Sequence, residues 1–285
     1  MEAIARSSWR AALPAFVFAL LAWIAAPTAA HAYQLSEGVP VGNGLKVDIY
    51  APNGAKPARF GRRGAPVVIY AHGGGWIKGS RKKVYSQHRW LTQRGYVFVS
   101  VDYRPVPQTD IDGQVRDVSN AVNWVRKNIR QYGGNPRKIV LMGHSAGAHL
   151  VAMIAAKNTA GRIAGVIPND VQAYDMVAYG VVRGGIGHPY DKAFGSNIED
   201  WVRWSPATYA KRNRRMPPHL ILHSGSQRAR RRQLTRGYVN LLRSRGTKAY
   251  AFDGGAYTHG SIARTLGQNN SVTSAVERFL EQVTR

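Results

Sequence analysis

Not one of the 285 residues is cysteine. That absence excludes thiol catalysis, disulfide staples and any cysteine-ligated metal. A chain of this length buries a full hydrophobic core without covalent help. Acidic residues are scarce as well, 15 Asp and Glu against 40 Lys and Arg, for a formal net charge of +25. No zinc-finger, helix-turn-helix or RNA-binding signature accompanies the charge, so no specific nucleic-acid recognition is expected. No His/Asp/Glu cluster has metal-ligand spacing, so neither a metal nor another cofactor is expected. Internal repeats and low-complexity linkers are missing too, which leaves a single domain. Beyond residue 32, no run is apolar for the roughly 20 residues a spanning helix needs.

What is present begins with a leader. Arg6 and Arg10 precede an apolar run over residues 11–26, then Pro27 and a small-residue tail, Ala30-His31-Ala32. This is the pattern of a secretory signal with an A-x-A cleavage site. Residues 1–32 are expected to be removed, giving an exported, periplasmic or secreted protein that begins at Tyr33 and keeps no membrane span. Removing two arginines and one glutamate leaves 38 basic and 14 acidic residues over 33–285. The excess is clustered at Arg59, Arg62 and Arg63; at residues 81–83; at Lys211, Arg212, Arg214 and Arg215; and at Arg228, Arg230, Arg231, Arg232 and Arg236. Such a field attracts anionic surfaces, polymers or acidic substrates, and it also serves plain solubility.

Past the leader, short apolar runs alternate with longer amphipathic ones. Strands are expected at residues 45–50, 67–71, 97–101, 139–142, 164–167, 219–223 and 248–252. Most are continuous runs, as in strands buried on both faces of a parallel sheet. Helical patterns lie between them, at about 84–94, 112–131, 146–157, 229–245 and 271–283. Residues 51–64 form a Pro-, Gly- and Arg-rich loop, and 176–204 have the length of a small cap. The expected fold class is α/β: a mostly parallel sheet, helices on both faces and a cap insertion.

Two motifs carry chemistry. Gly143-His144-Ser145-Ala146-Gly147 falls between a buried strand and a helix, the context that makes a G-x-S-x-G pattern informative. The sharp turn needs its glycines, and it lifts the Ser145 hydroxyl to a helix N-terminus, where negative charge is favoured. His72-Gly73-Gly74-Gly75-Trp76 follows another strand, and consecutive glycines leave backbone N–H groups free to face a ligand. The N–H groups of Gly74, Gly75 and Ala146 are the candidate oxyanion hole, worth about 3 kcal/mol per donor in favourable cases. A phosphate cradle is the competing reading, weakened because the Lys-Ser/Thr of a P-loop is missing.

Taken in order, His72 to Trp76, then Val101-Asp102-Tyr103-Arg104, then Gly143 to Gly147, then His259-Gly260, the chain resembles the bacterial carboxylesterases. It is similar in particular to the α/β-hydrolase branch related to hormone-sensitive lipase, kynurenine formamidase and prenylcysteine methylesterase. The likeness runs from about Val41 to Thr265. It implies the α/β-hydrolase fold and acyl hydrolysis through Ser145, with His259 matching the family's terminal histidine as general base. It implies a small ester or related acyl compound as substrate, without naming it. Of the other histidines, His72 is expected to shape the oxyanion loop, His144 to pack beside the turn, and His149 and His223 to be structural.

The resemblance fails at the acid. The family places it a few residues after the strand at 219–223, where this chain reads Ser224-Gly225-Ser226-Gln227-Arg228, with no carboxylate. Three readings stay open. Another carboxylate substitutes, the candidates being Asp175, in a Tyr-Asp pair that resembles a family landmark, with Asp170 and Asp253 as alternatives. Or a Ser-His pair works weakly alone. Or the fold survives as a non-catalytic scaffold that binds anionic surfaces or polymers. Asp102 and Arg104 are expected to form a local ion pair, Asp117 to lie on the polar side of a helix, and Glu199 and Asp200 to sit in the cap. Trp76, Trp201 and Trp204 are expected near the pocket, which suggests a small apolar or aromatic group in the substrate.

Overall fold

The computed structural model describes residues 33–57, 64–213 and 216–285. The expected leader 1–32, the residues Arg59, Arg62, Arg63, Arg214 and Arg215, and the side chain of Arg228 lie outside the described residues.

Among the described residues, eight strands form one sheet. They are β1 Tyr33–Gly42, β2 Leu45–Pro52, β3 Ala65–Ala71, β4 Val97–Val101, β5 Gly134–His144, β6 Gly165–Asn169, β7 His219–Ser224 and β8 Ala249–Gly254. Their order is β1-β2-β4-β3-β5-β6-β7-β8. The β1–β2 and β2–β4 pairings are antiparallel, and every other pairing is parallel. The strand expected at 45–50 is therefore not the first. β1 precedes it, half exposed and irregular in register, and it carries no apolar run that would announce it.

The α-helices are α1 Gln87–Gln93, α2 Ile111–Asn128, α3 Ala146–Lys157, α4 Met176–Arg183, α5 Tyr190–Phe194, α6 Ile198–Arg203, α7 Pro206–Ala210, α8 Arg228–Ser244, α9 Ser261–Arg264 and α10 Ser271–Thr284, and a 3-10 turn, Ile129–Tyr132, follows α2. Two cores form because each central strand is apolar on both sides. Val67, Ile69 and Ala71 of β3 face the core that takes in α2, α3 and α8. Val68 and Tyr70 face the core of α1 and α10. This is the period-two alternation of a strand covered on both faces. Helix ends follow local chemistry: the Asp110 carboxylate caps α2 by accepting from the Gly113 amide at 2.8 Å, worth about 1 kcal/mol.

Residues 176–204 fold as three short helices, α4 to α6, between β6 and β7. The parallel register sets His144 beside Asn169, Asn169 beside Leu222, and Leu222 beside Phe252. The carboxyl ends of β5 to β8 thus finish along one edge, where ligands of open α/β sheets bind. The loops leaving those four strands meet there.

Candidate active site

Ser145 sits between β5 and α3 at φ 55°, ψ −120°, a conformation that costs a residue with a side chain roughly 1–3 kcal/mol. The surroundings hold it there. Its amide donates to the Asn169 carbonyl at 2.9 Å. A Cβ on Gly143 would lie 2.3 Å from the Gly147 carbonyl oxygen, and one on Gly147 would lie 2.1 Å from that of Ala71. The two flanking glycines are needed because backbone passes where a side chain would stand.

The glycine-rich loop lies directly against this turn, since a Cβ on Gly73 would come 3.1 Å from the Ser145 Cβ. Gly74 (φ 154°) and Gly75 (φ 62°) come next, in conformations that favour glycine. Trp76 anchors the loop from its far end. Its carbonyl accepts from Gln114 Nε2 at 2.7 Å and from the Val106 amide at 2.9 Å. Its indole N–H donates to His149 Nδ1 at 3.2 Å, so the His149 proton sits on Nε2 and goes to the Trp204 carbonyl at 2.7 Å. Burial pushes the His149 imidazole down to about 4, which keeps it neutral and in that tautomer. His72 is likewise buried and pushed down to about 4, stacked on Tyr103 with ring centroids 4.2 Å apart. Ala146 opens α3, fully buried, and the first amides of a helix have no partner within it.

His259 lies in the loop between β8 and α9. Its Nε2 is 3.1 Å from Ser145 Oγ, and its Nδ1 is 2.6 Å from Asp170 Oδ2. Its backbone is clamped on both sides. The amide donates to Ser226 Oγ at 3.0 Å, and the carbonyl accepts from His144 Nε2 at 2.9 Å. Burial pushes the His144 imidazole down to about 4, so it stays a neutral donor.

The carboxylate at the imidazole is Asp170, not Asp175. Asp170 comes directly after β6, is fully buried, and also accepts from the Ser224 amide at 2.8 Å and Arg231 Nη1 at 2.9 Å. Burial pulls its pKa up. The hydrogen bond from His259, the Arg231 and His259 charges and the Ser224 amide together outweigh that and hold it below the ordinary 3.8. Asp175 is carried away from the strand edge by the five residues after Asp170. It caps α4, accepting from the Ala178 amide at 3.0 Å, and stands 3.8 Å from Lys211. Asp253 is held at the end of β8 in an ion pair with Arg232.

Two other expectations need correcting. Asp102 and Arg104 do not pair with each other. Asp102 binds Arg81 at 2.8 Å, and Arg104 binds Asp117 through its backbone amide, Nε and Nη2 at 2.7–3.1 Å. Asp117 is accordingly 1 % exposed rather than solvent-facing. Both residues lie beyond the end of β4, and each meets a partner from another segment, Asp102 the loop after Trp76 and Arg104 helix α2.

A cavity of about 500 Å³ opens over Ser145 and His259. Trp76 reaches its wall beside Tyr179 and Tyr190, whereas Trp204 packs on Phe194 and Trp201 against Gly180, away from it. The wall also carries basic and amide-bearing side chains, including Gln172, Arg230 and Arg231. Arg230 and Arg231 read in the sequence as part of a charge cluster. Two signals pointed to the site, the place just before them where the family puts its acid and the helix pattern that begins there.

Known esterases share parts of the sequence and the fold. The family model described as BD-FAE matches residues 47–181. A probable isoprenylcysteine alpha-carbonyl methylesterase of Oryza sativa is 28 % identical over 222 residues, 72 % of this chain and 52 % of that protein. Esterase LipQ of Mycobacterium tuberculosis is 38 % identical over 136 residues, 46 % of this chain and 31 % of that one. The chain thus spans about half or less of the length of these two relatives. Among solved structures, esterase B of Lactobacillus rhamnosis has the same fold, with a TM-score of 0.70, 17 % identity and coverage of 89 % of this chain and 86 % of that one.

Proposed function

The chain belongs to the α/β-hydrolase superfamily, in its carboxylesterase branch related to the hormone-sensitive-lipase group, and from that premise we propose that it is a serine esterase acting on a small carboxylic ester. The observation that carries the reading is the unbroken relay from Ser145 Oγ to His259 Nε2 at 3.1 Å and from His259 Nδ1 to Asp170 Oδ2 at 2.6 Å.

Asp170 accepts the Nδ1 proton, so Nε2 is left as the acceptor facing Ser145. Ser145 Oγ attacks the ester carbonyl while His259 Nε2 takes its proton. Negative charge then gathers on the former carbonyl oxygen, where the N–H groups of Gly74, Gly75 and Ala146 are assigned to receive it. Asp170 stabilises the imidazolium without taking the proton. The tetrahedral adduct collapses as His259 gives that proton to the departing alcohol. Water, deprotonated by His259, releases the acid from Ser145 in a second round. With all three members at bonding distance, catalysis is favoured over a scaffold that only binds anionic surfaces.

Labelling by a fluorophosphonate probe tests this. The wild type is expected to label and Ser145→Ala not to. A well-folded wild-type protein that resists the probe refutes the reading. Export is a separate part of the proposal: protein recovered outside the cytoplasm is expected to begin at Tyr33, and an intact Met1 on that material refutes it.

A further inference from the structure

The cations around the site divide into two kinds. Arg231 is nine-tenths buried, and its charge is balanced by Asp170 at 2.9 Å. The other four on the cavity wall are not balanced. Lys83 comes from the loop after Trp76, Arg183 from the end of α4, Arg230 from the first turn of α8 and Arg264 from the end of α9. Four separate segments therefore bring one sign of charge to one cavity, and among the described residues its wall includes no Asp or Glu.

These side chains are also arranged so that their charge stays available. Arg230 is held by neutral groups: Nε donates to Gln172 Oε1 at 2.8 Å, another nitrogen donates to Gln227 Oε1, and its guanidinium lies 5.7 Å over the Tyr179 ring. Arg183 donates to the Gly185 carbonyl at 3.3 Å. Among the described residues, neither Lys83 nor Arg264 is within salt-bridge distance of a carboxylate. Burial raises the Tyr179 hydroxyl, and the charges of Arg183, Arg230 and Arg231 all oppose that rise. Carboxylates do neutralise cations at other places. Arg81 is neutralised by Asp48 and Asp102, Arg104 by Asp117, and Lys157 and Arg203 by Asp112. A chain poor in carboxylates places them on cations elsewhere and leaves the cavity wall bare.

A concave, partly desolvated wall of one sign concentrates its field and draws in the opposite charge. Guanidinium forks match the planar oxygens of carboxylate or phosphate. We propose that the substrate is an anionic ester, one whose acyl or alcohol part carries an oxyanion that Lys83, Arg183, Arg230 and Arg264 receive while Ser145 attacks the ester carbonyl. This rests on the hydrolase reading for the scissile bond and on the wall charges for the substrate class.

The test uses two matched pairs of esters. On the acyl side, mono(4-nitrophenyl) glutarate is compared with 4-nitrophenyl valerate. On the alcohol side, 4-acetoxybenzoate is compared with 4-acetoxybenzamide. The anionic member of at least one pair is expected to have a kcat/KM about tenfold higher, the size of one well-placed charge contact of about 1.4 kcal/mol. Arg183→Gln, Arg230→Gln and Arg264→Gln should each lower that ratio, and Arg264→Lys should restore much of it. Raising salt should lower it as well. Arg137→Gln removes the same charge at the opposite end of β5, seven residues before His144 and roughly 20 Å away, and should leave the ratio alone. A ratio near one in both pairs overturns the proposal. So does an equal drop in Arg137→Gln, which would place the preference in the overall field. Ser145→Ala supplies a readout independent of turnover, namely the Kd for each intact ester. If the wild type cleaves nothing but Ser145→Ala still holds the anionic ester more tightly, the hydrolase reading falls and the anion site stands. If neutral esters are cleaved with no anionic preference in turnover or Kd, only the anion site falls.

Discussion

Replacing Asp170 by asparagine perturbs two things that the structure allows to be estimated separately. The first is the tautomer of His259. An asparagine side chain still accepts the Ser224 amide and Arg231 through its carbonyl oxygen, which leaves its NH₂ facing His259 Nδ1 at the position now 2.6 Å away. Nδ1 must then accept, the proton moves to Nε2, and Nε2 no longer takes the proton of Ser145. Losing the acid in this way costs about 10⁴ in kcat, or about 5.5 kcal/mol of transition-state stabilisation. The second is Arg231, 8 % exposed, with a buried Nε that already has no partner among the described residues. Stripping a buried cation of its carboxylate costs about 3–5 kcal/mol, and the asparagine oxygen keeps the cost toward the lower end. Nitrophenyl ester turnover measures the first effect and urea unfolding the second. Adding Arg231→Met to Asp170→Asn should recover stability and leave turnover low. Asp175→Ala should cost only a helix cap, about 1 kcal/mol, with kcat little changed. A folded Asp170→Asn protein with kcat within tenfold of wild type would refute the assignment, as would an equal loss of turnover in Asp175→Ala.

Acid should destabilise the fold before it touches Asp170. His72, His144, His149 and His219 are each pushed by burial from the ordinary 6.5 to about 4. Between those values the unfolded chain binds more protons, so stability falls as pH drops, by at most about 1.4 kcal/mol per pH unit for each imidazole. The urea midpoint is expected to decline steadily from pH 6.5 to 4.5, and a flat profile would count against four neutral buried imidazoles. Gly147→Ala forces a Cβ to 2.1 Å from the Ala71 carbonyl oxygen, so the protein should be insoluble or fold without turnover. Normal activity would remove the argument for the turn. Arg104→Ala should cost more than Asp117→Asn, about 3 kcal/mol, because it strands a carboxylate that is 1 % exposed, whereas the Arg104 side chain is 37 % exposed to water. Equal losses in chemical denaturation would contradict that asymmetry.

Legibility in the sequence tracked the physics of each part. β3 to β7 stand out because strands covered on both faces must be apolar, β8 carries a run of its own although it is an exposed edge strand, and the Ser145 turn stands out because two backbone collisions demand glycine. β1 was hidden because a half-exposed edge strand needs no apolar run. Asp170 was one of three candidates, and nothing local separated it from Asp175: both come after the same strand, both have hydrogen-bonding partners, and only the three-dimensional path of the four residues between them decides which meets His259. The pairings of Asp102 with Arg81 and of Asp117 with Arg104 join residues 21 and 13 positions apart. Proximity along the chain pointed to the wrong partners. The cavity charges were visible as composition and invisible as a site, since the loop after Trp76, α4, α8 and α9 converge only when folded.

With its carboxylate on the end of β6, the proton relay leaves the end of β7 without a chemical duty beyond the Ser224 amide and the Ser226 hydroxyl. The turn and helix start beyond β7 are thereby modular. Arg230 and its neighbours are open to rewriting for a different guest, with Arg231 the one residue there tied to Asp170. Under the two proposals, selectivity and reactivity sit on adjacent but separately editable strand ends, and a library confined to residues 228–232 that spares Arg231 is expected to vary the first without dismantling the second.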